Sequence, residues 1–389
     1  MGFIFGERGA GYGLVTNTDE ASWRKRRQIM NPAFHRSCLK DFISKFNDVC
    51  DRFLSHMNKI VDSAKPTSMV QEFANVTLEV ISQVSFNFNT HAIEDPESPF
   101  AEAIRHYLRG VQANAEIPLN PTMLAIFQFK PFQNATKRMQ IKVAQFLRRF
   151  ALDCVTTRMR DIANNSIVPN DLLSILIKDG SLSLDEVIDE FLTVFIAGQE
   201  TTANSLSFTL YEIIRNPHVE AKLLNEINKV LDGRDNVEFD DLAKLKYLGQ
   251  VLNEGLRKYP VAPAPSRTLV KDITVGGYHI PKGNGIHSHQ YFFSMNPKIW
   301  QNPEVFDPER FSNDNIESIP NFSLTFFPFS FGPHSCIGQT FAKFESKVIL
   351  VKLLQKFKFR LMPDQTGRML ARLTYTPRDG VICEVSRRE

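Results

Sequence analysis

One cysteine in this chain has a setting that could do chemistry. Cys336 lies in FFPFSFGPHSCIGQTFAKFESKVILVKLL, where a glycine-punctuated loop delivers it to the start of an amphipathic helix. Backbone N–H groups at a helix N-terminus stabilise negative charge, so the position suits a thiolate, the form that attacks electrophiles and binds metals. Gly332 and Gly338 carry no Cβ that would hold a flat ligand away from the backbone. The other four cysteines, Cys38, Cys50, Cys154 and Cys383, lack such a setting and read as inert core thiols. Five widely spaced cysteines with no CxxC pair argue against a disulfide framework or a zinc site and favour a reducing compartment.

A second group falls in the middle of a long helix. Ser183 followed by Glu186 makes a capping box, and the helical pattern runs through FLTVFIAGQETTANSLSFTLYEI to a stop at Asn216-Pro217. At about 30 residues this helix is roughly 45 Å long, and its apolar first half predicts a path through the core. Gly198, Gln199, Glu200, Thr201 and Thr202 interrupt it at midpoint. Packing accounts for Gly198 alone, but an acid and two threonines in a buried helix ask for a function. Elsewhere Glu254 and Arg257 share a helix face at i,i+3. His287 and His289 form an HxH pair on an expected strand with no acid or cysteine nearby, and read as structural or surface residues.

The elements around these groups follow from periodicity. Most of residues 20–260 show apolar residues at three- and four-residue spacing, which predicts helix. Later, RTLVKDITVGGYHIPKG predicts a hairpin about Gly276-Gly277, and FKFRLM…LTYTPRDGVICEV predicts another. The expected fold is mainly α with small β-sheets, in one domain over residues 1–389, because no repeat or composition break marks a linker. A net charge of +3 gives no electrostatic case for a nucleic-acid partner, and the run Arg24, Lys25, Arg26 reads as a solvated helix face or one turned to an acidic partner. No run of about 18 apolar residues spans a bilayer, and the first residues lack the regions of a signal peptide. The 32 phenylalanines against eight tyrosines and two tryptophans suit a greasy core or a lipophilic pocket.

Phe329, Gly332, His334, Cys336 and Gly338 resemble the heme-binding signature of the cytochrome P450 family, FxxGx(R/H)xCxG. Four further motifs resemble the family's in the expected order. Trp23 with Arg27 is similar to WxxxR, AGQETT to the oxygen-activation motif, Glu254-Gly255-Leu256-Arg257 to ExxR, and Pro308 to Phe311 to PERF. The resemblance implies heme b ligated by the Cys336 thiolate, which pushes electron density onto iron and favours O–O cleavage. It also implies that Thr201 and Glu200 steer protons, Thr201 bonding back to the Ala197 carbonyl and opening the helix locally beside the cofactor. Trp23, Arg27, Arg267 and His334 match positions that hold the heme propionates, with Phe329 and Gly338 flanking the ligand loop. His334 departs from the commoner arginine and gives up a fixed positive charge. Arg310 joins Glu254 and Arg257 in an implied structural triad of partly buried charges, and Ser294-Met295-Asn296-Pro297 replaces a His-Arg-Asp-Pro of many relatives.

Within the family the heme-serving segments look most like the cholesterol 24-hydroxylase group, which implies insertion of oxygen from O2 into a sterol side chain. Fatty acids and xenobiotics are the alternative substrates. An NADPH-dependent reductase is the implied electron donor, and the implied location is the cytosolic face of the endoplasmic reticulum membrane. Peripheral membrane contact is expected through IPLNPTMLAIFQFKPF, residues 117–132, with Leu124, Ile126 and Phe127. Relatives carry an anchor, first helices and part of one sheet ahead of the WxxxR helix, so this chain is expected to be N-terminally incomplete and less stable for it. Two other readings stay open: a non-catalytic fragment, and a heme-thiolate isomerase or peroxide user, which the Glu200-Thr201 pair disfavours.

Overall fold

The computed structural model describes residues 11–115, 135–372 and 374–388. The longer helices are α1 (Glu20–Met30), α2 (Ile43–Ser63), α3 (Met69–Phe86), α4 (Pro99–Ala115), α5 (Ala135–Ala163), α6 (Leu172–Asp179), α7 (Leu184–Arg215), α8 (Pro217–Leu231), α9 (Lys246–Lys258) and α10 (Gln339–Lys356). Helix α7 is the long helix expected from sequence, and its capping box forms as read: Ser183 Oγ accepts from Glu186 N, and Glu186 Oε2 accepts from Ser183 N at 2.8 Å. Pro217 ends it by starting α8. Helix α3 lies along α7, close enough that a Cβ on Gly198 would stand 3.1 Å from Ile81 Cδ1. That close approach is the packing role of Gly198. Much of the phenylalanine excess goes into the core beside these helices, where Phe86 stands 4.2 Å from Phe191 and 4.7 Å from Phe195 between ring centroids. Such pairs add about 0.5–1.5 kcal/mol each beyond burial.

Helix α10 departs from expectation. It is not amphipathic: Phe341, Glu345, Ser346 and the whole run from Val348 to Leu354 are buried. A helix buried all round is a core element, and two of its buried residues, Glu345 and Lys352, are charged types that must find partners or lose their charge.

The strands are β1 (Thr67–Ser68), β2 (Ser266–Thr268), β3 (Ile273–Val275), β4 (Tyr278–Ile280), β5 (Gly285–His287), β6 (Phe357–Leu361), β7 (Met369–Ala371), β8 (Tyr375–Pro377) and β9 (Ile382–Arg387). The hairpin at Gly276-Gly277 is β3–β4, and both glycines take positive φ, 57° and 86°, as a tight two-residue turn requires. The C-terminal pairing of β6 with β9 also forms, with Phe359 opposite Val385, but the connection carries a hairpin of its own, β7–β8, and β9 has β1 on its other side. Among the described residues, no helix is long and apolar enough to cross a membrane. Residues 117–132, with Leu124, Ile126 and Phe127, lie outside the described residues.

The basic run of α1 is not a uniform solvated face. Arg24 is exposed and pairs with Glu20, and Lys25 donates to the Ser181 carbonyl. Arg26, in contrast, is only 4% exposed. It donates to Glu190 Oε1 at 3.1 Å, Glu186 Oε1 at 3.0 Å and the Tyr12 carbonyl at 2.7 Å, and so ties α1 to the first turns of α7. Buried arginine is tolerated only with such partners, and these come from a segment remote in sequence.

Candidate active site

The cysteine loop is shaped by its own backbone. Ser330 and Gly332 take positive φ, 60° and 72°, and the Cys336 N–H donates to the Phe329 carbonyl at 2.8 Å, closing the loop. Only glycine adopts the Gly332 conformation without strain, and a Cβ there would meet nothing within 4 Å, so this side of the loop borders open space. A Cβ on Gly338 would stand 3.9 Å from Cys336 Sγ. Cys336 itself is exposed, although protein atoms crowd around it. Burial there raises the thiol above its ordinary value, opposed by the Gly338 N–H and by Arg27. The loop by itself therefore favours the thiol over the expected thiolate, and a cation bound at sulfur reverses that. Among the other cysteines, burial pushes Cys154 up to about 11 and Cys383 to about 12, and Cys50 higher still. These are packing thiols, as read from sequence.

Four expected cofactor contacts gather beside the loop. Arg27 donates from Nη1 to the Ser335 carbonyl at 2.7 Å and from Nε to Asn31 Oδ1 at 2.8 Å. Trp23 and His334 stack face to face with centroids 3.7 Å apart. His334 Nε2 lies 3.6 Å from Glu20 Oε2, and burial, then the positive charge of Arg267, lowers its pKa from the ordinary histidine value, with Glu20 opposing. Arg267, on β2, is exposed and donates to its neighbour's carbonyl at Ser266. Glu20 was not foreseen. It stands one turn before Arg24 and reads as a surface acid until the fold brings His334 beside it. An accessible sulfur, an open glycine-bordered side and the arginines and histidine around it together fit a flat, dianionic, iron-bearing group such as heme.

On α7, the Thr201 hydroxyl donates to the Ala197 carbonyl at 2.8 Å, the bond expected from sequence. Helix α7 remains continuous through Gly198 to Thr202 with this back-bond in place. Gln199 turns to α3, donating to the Ala74 carbonyl at 3.2 Å while its own carbonyl accepts from Thr77 Oγ1 at 3.0 Å. Ala197, Gly198, Glu200 and Thr201 are partly exposed in the middle of an otherwise buried helix.

The Glu254–Arg257–Arg310 triad is assembled, and its first two members are fully rather than partly buried. Arg257 donates to Glu254 through Nε at 2.6 Å and Nη2 at 2.8 Å, a forked pair, and reaches the carbonyls of Ser294 and Pro303, each at 2.8 Å. Asp307 N donates to Glu254 Oε1 at 2.9 Å, and Arg310 Nε stands 3.4 Å away. The departed segment at Ser294 thus serves the triad through its backbone. His287 ends β5 and bonds Ser266 Oγ on β2, whereas His289, expected on the same strand, lies beyond it as the N-cap of a short helix, Gln290–Ser294, and bonds the Tyr375 hydroxyl.

The family model for cytochrome P450 matches residues 3–382. Cytochrome P450 3A7 of Homo sapiens is 30% identical over 370 residues, covering 92% of this chain and 71% of that protein. Cytochrome P450 3A28 of Bos taurus is 29% identical over 371 residues, with the same coverage. Among solved structures, the heme domain of cytochrome P450DA superposes with a TM-score of 0.85 at 25% identity, covering 98% of this chain and 81% of that one. The likeness to the cholesterol 24-hydroxylase group gains no support from these relatives. Mainly helical with small antiparallel sheets, and built around an accessible cysteine, the chain belongs to the cytochrome P450 family of heme-thiolate monooxygenases.

Proposed function

We propose that the whole chain forms one heme-binding domain that inserts an oxygen atom from O2 into a lipophilic substrate, with Cys336 as the residue that would hold the iron. The observation that carries this reading is the open-sided Cys336, bordered by Gly332 and flanked by Arg27, Trp23 and His334. Bound heme supplies O2 activation, which thiolate ligation favours. Arg27 fixes the loop through the Ser335 carbonyl and lends positive charge to the sulfur. Trp23, Arg27, Arg267 and His334 would hold the propionates, while Phe329 and Gly338 would flank the ligand. Ala197 on α7 would border the group, and there Thr201 would hold a transferable proton that Glu200 supplies.

The substrate we propose is a sterol, on the resemblance of the heme-serving segments, with fatty acids and xenobiotics as the competing outcomes of a binding-spectrum panel. An NADPH-dependent reductase supplies electrons at the cytosolic face of the endoplasmic reticulum. The decisive experiment is the absorbance spectrum of the reduced, CO-bound protein. A red-shifted thiolate-type band is expected, lost in Cys336→Ser. No heme spectrum would favour a non-catalytic chain, and an unchanged band in the variant would show that another residue is the ligand.

A further inference from the structure

Helix α10 carries a carboxyl group that no cation meets. Glu345 is 1% exposed, and neither of its oxygens has a hydrogen-bond partner of good geometry among the described residues. It faces α7, where the Thr202 hydroxyl, itself buried, stands beside it. From α2 the titratable group toward it is Cys50, whose thiol burial keeps protonated. Lys352, two turns along α10, is committed to Asp51 at 2.6 Å and Asn236 at 2.8 Å. An ionised carboxylate left unpaired in an apolar interior takes up a proton instead, and burial raises this carboxyl well above its ordinary value. A neutral carboxyl offers an O–H donor and a carbonyl acceptor, and a threonine hydroxyl can answer either.

We propose that Glu345 is a positioning residue: a neutral carboxylic acid that holds the Thr202 hydroxyl and thereby fixes Thr201 and Glu200 of α7 relative to the helix that follows Cys336. Thr202 adjoins Thr201, so movement of the buried threonine carries the partly exposed one with it. Helix α7 bears Thr201 and Glu200, α10 follows directly on the Cys336 loop, and Glu345 with Thr202 is a polar contact between the two helices. The inference rests on the monooxygenase reading for its consequence, and on buried geometry alone for its premise.

Infrared difference spectra of the whole chain at neutral pH, parent against Glu345→Gln, test the premise without turnover. A carboxylic-acid carbonyl band present in the parent and lost in the variant is expected, and Thr202→Val should shift that band. Absence of the band, or a band indifferent to Thr202→Val, overturns the proposal. In the heme-loaded enzyme with its reductase, product formed per NADPH should fall about five-fold in Thr202→Val and Glu345→Leu, the equivalent of one net hydrogen bond. Glu345→Gln, which keeps a donor and an acceptor, should retain the parental ratio. Equal ratios in all three variants would reduce the contact to packing. A chain without monooxygenase activity still gives the infrared answer, so the two readings fail separately.

Discussion

Replacing Arg257 with methionine should destabilise the chain by about 3–5 kcal/mol, the range for breaking a buried ion pair by removing one partner. The geometry puts this pair at the upper end. Arg257 and Glu254 have no exposed surface, and the guanidinium also satisfies the Ser294 and Pro303 carbonyls, each worth about 1–3 kcal/mol if left bare. Partial relief comes from Arg310, 3.4 Å from Glu254 Oε1, and from the Asp307 N–H at 2.9 Å. Glu254→Met should do similar damage, stranding a guanidinium and the Asp307 N–H. The double variant removes both charges, so it should be less destabilised than the sum of the singles by about 3 kcal/mol, since the stranded charge is counted once in each single. Urea unfolding followed by tryptophan fluorescence is the assay, because Trp300 packs 5.4 Å from the Arg257 guanidinium and one of the only two tryptophans reports the triad directly. Additive single and double variants would refute the argument, showing the charges to be independent.

Thr201→Ala should leave heme and substrate binding intact while lowering product formed per NADPH and raising peroxide; an unchanged ratio would remove Thr201 from proton delivery. Arg26→Met should cost about 3 kcal/mol by stranding Glu190, whose side chain has no exposed surface, whereas Arg24→Ala should change thermal unfolding little. Equal effects of the two would deny Arg26 its buried role. Lys347 donates to the Leu242 and Leu245 carbonyls, and burial lowers it from 10.5 to about 8. Between those values the unfolded chain binds more protons than the folded one, so stability should rise with pH across that window relative to Lys347→Met. Parallel pH profiles of thermal unfolding for the parent and variant would contradict this.

The features legible in sequence are those set by neighbours along the chain. Ser183 and Glu186 cap α7, Thr201 bonds Ala197, Gly276-Gly277 turns a hairpin, and Glu254 meets Arg257, each within four residues. What escaped is set by partners far away. Arg26 looks like part of a solvated basic run because its acids lie 160 and 164 residues on. Glu20 looks like an exposed acid until His334 arrives, and Glu345 looks like the polar side of an amphipathic helix because nothing local says that α10 is covered on that side too. The helix N-terminus at Cys336 was read as favouring thiolate; burial outweighs it until a cation arrives, and local sequence does not encode burial.

The bond from Arg27 to Ser335 joins residues 308 positions apart. Synthesis at about 5–20 residues per second separates the emergence of its two ends by roughly 15–60 seconds. Throughout that interval α1 has neither its loop nor, until α7 appears, the acids that accept Arg26, so its basic run stays in water or on a chaperone. On the reading proposed for Cys336, heme capture belongs to the end of synthesis: a ribosome that stalls before the cysteine loop releases a chain with most of its helices and much of its hydrophobic core but without the proposed iron ligand.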